Sequence, residues 1–93
     1  MLKAQRQAID AIDRELVQLF EKRTRIVEEV AQIKLDNHLP VLDASREQLV
    51  IEKVQSYLTD TSLSQDLADL YTEIMRLSRL HQHKWLVQQK DTH

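Results

Sequence analysis

The chain has 93 residues, a formal net charge of −2, no glycine, no cysteine and one proline. A chain of this length forms one domain with a small core, and the near absence of residues that interrupt helices predicts an all-α fold of three helices. The lack of cysteine excludes disulfides and thiolate metal sites, and the near-neutral charge gives no general attraction to nucleic acid.

The N-terminal residues 1–10 lack the apolar core of a signal peptide, and no apolar run approaches the length needed to span a membrane. We therefore expect a cytoplasmic protein without membrane association. We also expect a single domain that occupies residues 1–93.

A seven-residue apolar repeat runs from Leu2 to Ile33 and predicts one long helix at about residues 2–35. The two columns of the repeat contain Leu2, Ile9, Leu16, Arg23 and Val30, and Gln5, Ile12, Leu19, Ile26 and Ile33. With a rise of about 1.5 Å per residue, the helix would be roughly 50 Å long. Such a rod buries its seam best against another chain or against a returning hairpin.

Arg23 occupies a position of this repeat where Leu or Ile is expected. Considered alone, it either pairs with a glutamate or extends its guanidinium out of the seam. Lys34 lies about three turns later, so both cations project from nearly the same face, about 16 Å apart, and their long side chains can converge on one small ligand.

Arg6 is about 25 Å from Arg23 along the same rod, which is too far for both to reach one small molecule. It would reach that ligand only from the antiparallel helix of a second chain, which would make the protein a homodimer. Spacing alone favours the alternative, an exposed charge near the end of a helix.

Residues 35–42 contain Asn, His and Pro and form the clearest break in the chain. Asp43 follows as the predicted N-cap of a second helix, at about residues 43–58. Glu47 lies on the apolar stripe of that helix, in its first turn. It either interacts favourably with the helix dipole or serves as a carboxylate that binds a ligand hydroxyl or balances Lys34. Arg46 lies off this stripe and is placed to close over the rim of a site.

The third helix is predicted at about residues 63–86, with residues 87–93 as a frayed end. Its apolar face contains Leu63, Leu67, Leu70, Tyr71, Ile74 and Trp85. Ser78 and Gln82 lie one turn apart near the centre of that face. A buried Ser can bond the carbonyl four residues back, but a buried amide needs several partners or costs about 1–3 kcal/mol.

Each helix thus carries polar residues on a face that its periodicity predicts to be buried. A pocket with surplus cations suits a small dianion held by charge-assisted hydrogen bonds. His81 and His83 are two residues apart and diverge on a helix, and no phosphate loop or activated nucleophile is apparent, so we expect neither metal nor cofactor. The chemistry would depend on positioning and electrostatics.

The segments QRQAIDAIDRELVQLFEKRTRIVEEVAQIK, PVLDASRE and IMRLSRLHQ, in this order and spacing, closely resemble the all-helical AroQ-class chorismate mutases. The resemblance covers the chain from about Leu2 to Trp85. It implies an intertwined homodimer of three-helix chains with two equivalent active sites. It also implies conversion of chorismate to prephenate on the route to phenylalanine and tyrosine.

The resemblance further implies a role for each matched position. Arg6 of the second chain would hold the two substrate carboxylates together with Arg23 and Lys34. Ser78 would assist at one of these carboxylates.

The remaining matched positions would contact the ring and the ether bridge of the substrate. Glu47 would bind the ring hydroxyl together with the backbone near Asp43. Lys34 and Gln82 would be the catalytic residues at the ether oxygen. Arg46 matches a position at the rim of the site.

Three other functions remain open at this point. Elimination of pyruvate from isochorismate would use a similar cationic pocket on the same scaffold. A non-catalytic helical dimerisation or regulatory module would show scattered surface charge instead of a pocket. Nucleic-acid binding ranks last, because the basic residues alternate with acids and form no basic stripe.

Overall fold

The computed structural model describes residues 1–91. Three helices, α1 (Lys3–Asp36), α2 (Ala44–Ser56) and α3 (Ser64–Asp91), follow one another, with a 3₁₀ turn at Thr61–Leu63 before α3. This part of the chain contains no strand, which confirms the predicted all-α fold. None of its helices is both long enough and apolar enough to cross a membrane.

The helix bounds differ from the expected ones mainly at α3. Asp60 accepts a hydrogen bond from the Ser62 backbone N–H (3.1 Å) and starts the separate 3₁₀ turn, so α3 begins at Ser64. The helix then continues to Asp91 instead of ending near residue 86. The segment after residue 86 contains good helix formers and neither Gly nor Pro, which explains the extension. The rest of the predicted frayed end, residues 92 and 93, lies outside the described residues.

The C-terminal end of α1 is closed by a Schellman-type turn without glycine. The backbone N–H of His38 donates to the Leu35 carbonyl (3.2 Å), and that of Leu39 donates to the Lys34 carbonyl (2.8 Å). His38 takes the left-handed conformation that this turn requires, with φ 55°. The turn reverses the chain and brings Val41 back beside the side chain of Lys34.

The three helices form a thin layer, with extents of 56 × 29 × 14 Å, in which α3 packs against both α1 and α2. A thickness of 14 Å is little more than the diameter of one helix with its side chains, about 10–12 Å. Accordingly, only two apolar residues among residues 1–91 are buried, Ala31 and Met75. One chain therefore has almost no hydrophobic core of its own.

Within the returning hairpin, α3 packs against α1 and covers only one of its faces. Arg23, Val27 and Ala31 recur at four-residue spacing on that face and are at least half-buried. The second column of the heptad repeat lies on another face, and its isoleucines and leucine are 53–61% exposed: Ile12, Leu19, Ile26 and Ile33. The returning hairpin therefore leaves the predicted seam uncovered.

Candidate active site

A cavity of about 180 Å³ lies where the C-terminal part of α1, the start of α2 and the middle of α3 meet. Seven of the eight predicted site residues line it: Arg23, Lys34, Asp43, Arg46, Glu47, Ser78 and Gln82. Apolar side chains complete the wall: Val27, Val30, Val41, Val50 and Met75. The fold thus brings polar residues from all three helices together around one space, while their roles in binding or catalysis stay predictions.

Arg6 is the predicted site residue that does not line this cavity. It is exposed near the N-terminal end of α1. Because α1 is continuous from Lys3 to Asp36, the distance of about 25 Å between Arg6 and Arg23 is fixed by the helix itself. Arg6 cannot reach the cavity of its own chain.

Arg23 is held in the cavity by Ser78. The Arg23 Nη1 atom donates to Ser78 Oγ at 2.6 Å, and Ser78 Oγ in turn donates to the Ile74 carbonyl at 2.9 Å. The only hydroxyl proton of Ser78 is therefore used within α3, while the guanidinium keeps further N–H donors for a ligand. Ser78 orients Arg23 in this arrangement, and its role toward a ligand stays a prediction.

Lys34 is oriented by the turn that follows α1. Its Nζ atom donates to the Val41 carbonyl at 2.7 Å. An ammonium group has three donors, so two remain for a ligand in the cavity. The Schellman-type turn at His38 thus acts directly on the geometry of the site, because it sets the position of this carbonyl.

Asp43 is the N-cap of α2, as predicted. Its carboxylate accepts hydrogen bonds from the Arg46 backbone N–H (3.1 Å) and from Ser45 Oγ (3.0 Å). The backbone hydrogen bond from Arg46, then that from Ser45, lowers the pKa of Asp43, and the charge of Lys34 contributes in the same direction. The Asp43 side chain is thus committed to the helix start. Arg46 itself is exposed at the rim.

Glu47 forms an ion pair with Arg79 across the cavity, from α2 to α3. Both residues line the cavity, and both side chains are mostly removed from solvent. Sequence reasoning missed Arg79, because it took the neighbouring Ser78 as the polar residue on the buried face of α3. Its helical spacing was the available signal, since Met75, Arg79, Gln82 and Leu86 form one stripe of buried and half-buried residues on α3.

Gln82 is the buried polar residue among those described, with 6% of its surface exposed. Its Oε1 atom has no hydrogen-bond partner within residues 1–91. An unsatisfied buried polar group costs about 1–3 kcal/mol, so natural proteins rarely retain one without a further partner. Because Gln82 lines the cavity and Oε1 can only accept, a ligand or water there that supplies a hydrogen-bond donor would satisfy this atom.

The charges that line the cavity do not cancel. Four of the lining side chains are cationic and two are anionic, which leaves a formal excess of two positive charges. The cations are Arg23, Lys34, Arg46 and Arg79, and the acids are Asp43 and Glu47. This excess fits a small ligand with two negative charges, held by charge-assisted hydrogen bonds.

A second, mainly apolar cavity of about 300 Å³ lies between α1 and α3 and shares Arg23, Val27 and Ser78 with the first. His81 lies at its edge, where its Nε2 atom is 2.7 Å from Glu28 Oε2. The hydrogen bond with His81, followed by that from Arg25, lowers the pKa of Glu28. His81 therefore links α3 to α1 instead of being a free surface residue.

Comparison with known proteins gave a consistent result. The family model described as chorismate mutase type II matches residues 5–83. The T-protein of Haemophilus influenzae is 33% identical over 85 residues, which cover 90% of this chain and 22% of the relative. The bifunctional chorismate mutase/prephenate dehydratase of Buchnera aphidicola subsp. Schizaphis graminum is 33% identical over 82 residues, which cover 87% of this chain and 21% of the relative. The chain thus spans about a fifth of the length of these curated relatives. No solved structure is significantly similar to it.

Proposed function

The chain belongs to the chorismate mutase type II family, and we propose that it converts chorismate to prephenate in the biosynthesis of phenylalanine and tyrosine. The observation that carries this proposal is the cavity itself, which has a surplus of two positive charges and is lined by the buried amide of Gln82. Chorismate is a dianion with an ether oxygen, so its charge complements the surplus cations, and its ether oxygen can accept a hydrogen bond from the Nε2 group of Gln82.

The reaction itself makes modest chemical demands on the protein. One C–O bond breaks while one C–C bond forms within the same molecule, so neither a covalent intermediate nor a proton transfer is needed. The protein must hold the compact conformer of the substrate and stabilise the negative charge that develops on the ether oxygen. Side chains that bind anions and donate hydrogen bonds are sufficient for both tasks.

Two cations of this chain would bind the substrate carboxylates. The Arg23 guanidinium is already oriented by Ser78 and retains donors, and Lys34 projects into the same cavity. In this proposal Ser78 is a positioning residue that fixes Arg23, because its own proton is donated to the Ile74 carbonyl. Arg6 of a second chain would complete the carboxylate site.

Lys34 and Gln82 are the proposed catalytic residues. Both would donate hydrogen bonds to the ether oxygen, which gains negative charge in the transition state. The carbonyl of Val41 fixes Lys34 and leaves two of its donors free for this task. Glu47 would accept a hydrogen bond from the ring hydroxyl, close to the backbone near Asp43, while Arg46 would close the rim.

We further propose that two chains form an intertwined homodimer. The exposed isoleucines and leucines of α1 and the near absence of a core in one chain favour burial against a partner. Obligate dimer interfaces are large and resemble a domain core divided in two, which is what these surfaces offer. An antiparallel arrangement of the two α1 helices would also carry Arg6 to the cavity of the other chain.

The test is incubation of the purified chain with chorismate, with products identified by proton NMR. We expect prephenate, and we expect Lys34→Gln to reduce turnover by several orders of magnitude with the helical circular dichroism signal unchanged. Lys53→Gln is the matched control, because Lys53 is an exposed lysine in the last turn of α2 and should leave turnover unchanged.

Two results would contradict the proposed function. No saturable loss of chorismate would identify the chain as a non-catalytic helical module. Release of pyruvate from isochorismate, with chorismate left intact, would assign the sibling elimination to the same cavity.

A further inference from the structure

Arg79 has no part in the proposed chemistry, although it lines the cavity and contacts one of the proposed binding residues. Its Nη1 atom donates to Oε1 of Glu47. The contact joins α2 to α3, and its two residues are 32 positions apart in the chain. No other hydrogen bond to Glu47 occurs within the described residues, so Oε2 retains its capacity to accept a hydrogen bond.

The pair resolves an electrostatic conflict in the site. Glu47 would supply an acceptor for a hydroxyl, but its negative charge would also repel a dianion bound in the same small cavity. For a separation of about 8 Å and an effective dielectric constant of about 20, this repulsion would weaken binding on the order of tenfold or more. A cation on Glu47 cancels most of that repulsion and leaves the acceptor in place.

We propose that Arg79 is a positioning residue that neutralises Glu47 and orients its carboxylate, so that one cavity accepts both the hydroxyl and the two negative charges of the same ligand. This inference rests on the proposed function. In this role Arg79 would determine specificity for ligands that combine a hydroxyl with two carboxylates. With Arg79 beside it, the Glu47 carboxylate can accept a hydrogen bond from the hydroxyl without repelling the dianion.

The location of the pair favours this role over a purely structural one. The Arg79 and Glu47 side chains are 29% and 23% exposed, and ion pairs that remain partly hydrated usually contribute little to stability. Arg76, three residues earlier on α3, forms a comparable pair with Glu73. The Arg76–Glu73 pair lies within α3 and outside the cavity. Substitution of Arg76 therefore reports the effect of an ion pair that has only a structural role.

The test is a double-mutant cycle in the full chain, with KM and kcat measured on chorismate. We expect Arg79→Gln to raise KM on the order of tenfold and to change kcat less than about threefold, because the loss acts on binding of the dianion. Arg79→Lys should restore most of the affinity because it keeps the charge. In a Glu47→Gln background, Arg79→Gln should raise KM by a smaller factor, because only the direct attraction between Arg79 and the dianion is lost and no carboxylate needs to be oriented. Arg76→Gln is the control and should leave both constants unchanged.

Several outcomes would overturn the inference. An unchanged KM in Arg79→Gln or a loss confined to kcat would contradict charge compensation, and an equal penalty with and without the Glu47 charge would contradict the orientation of Glu47 by Arg79. If Arg79→Gln lost its helical signal, Arg79→Met would replace it, since it keeps the apolar stem. Loss of the fold in both variants would mean that Arg79 acts through stability.

Calorimetric titration of chorismate separates this inference from the proposed function. If the chain binds chorismate without converting it, the same cycle in Kd would still support compensation by Arg79, while the proposed function would fail. If conversion occurs but the cycle shows no coupling, the proposed function stands and the inference fails. Absence of both binding and conversion would overturn both.

Discussion

Two inactive variants should restore activity to each other if Arg6 acts on the cavity of a second chain. In that arrangement, Arg6→Ala and Lys34→Ala would each damage every site of their own homodimers. Arg6 and Lys34 are about 42 Å apart along α1, so they cannot serve one site from a single chain. In a mixed dimer, one site would carry both substitutions and the other would carry neither. Random association makes half of the dimers mixed, so we expect about a quarter of the wild-type activity per chain.

The assay requires exchange of chains between the two variants. Equal amounts are unfolded together in urea, refolded by dilution and assayed on chorismate, with the dimer mass determined by light scattering. Mixed dimers isolated through two different affinity tags should show about half of the wild-type activity, because one of their two sites is intact. Each variant treated alone in the same way should stay inactive.

A matched pair of variants controls for nonspecific recovery. Arg23 and Lys34 line the same cavity of one chain, so a mixture of Arg23→Ala and Lys34→Ala leaves every mixed site with one substitution. This mixture should show no recovery. The reasoning is refuted if mixed dimers of the Arg6 and Lys34 variants form and remain inactive, or if Arg6→Ala is a fully active monomer.

The other predictions concern single positions. Gln82→Glu should be active only at acidic pH, because a carboxyl group donates to the ether oxygen only when protonated; a flat profile of kcat/KM across neutral pH would contradict this. Glu28 has a pKa below its ordinary value of 4.5, chiefly through the hydrogen bond with His81, so it adds stability above that pH and loses this contribution as pH falls through the folded-state value. Glu28→Gln should therefore lower the free energy of unfolding at pH 7, with the difference shrinking below about pH 4.5, as urea titrations at several pH values would reveal. His38→Gly should raise the free energy of unfolding by about 0.5–1 kcal/mol, since it removes the left-handed strain at φ 55° at some entropic cost; an unchanged urea midpoint would contradict it.

The sequence was sufficient to predict the helices because their signals are local. The heptad repeat of α1 and the Asp43 cap of α2 depend only on neighbouring residues, and both are found at the expected places. The C-terminal end of α3 was predicted too early, because the apolar pattern fades after Trp85 while helix propensity does not. Apolar periodicity indicates which face of a helix is buried. It does not indicate where the helix ends once its residues are mostly polar.

The site was harder to predict, because its details depend on contacts between helices. The sequence identified Gln82 as a polar residue on a buried face, and its burial agrees with that. The orientation of Arg23 by Ser78 and the pairing of Glu47 with Arg79 join residues separated by 55 and 32 positions in the chain. Such pairs follow from how α1 and α2 dock on α3, which no local pattern specifies.

The two faces of α1 connect association to activity. Arg23 and Lys34 point to the cavity formed with α3, while Ile26 and Ile33 remain exposed on another face of the same rigid helix. If a second chain covers that exposed face, the same contact carries Arg6 to the cavity, so the site is complete only in the dimer. Specific activity should then fall as the protein is diluted through the dissociation range of the dimer, in parallel with the loss of dimer mass.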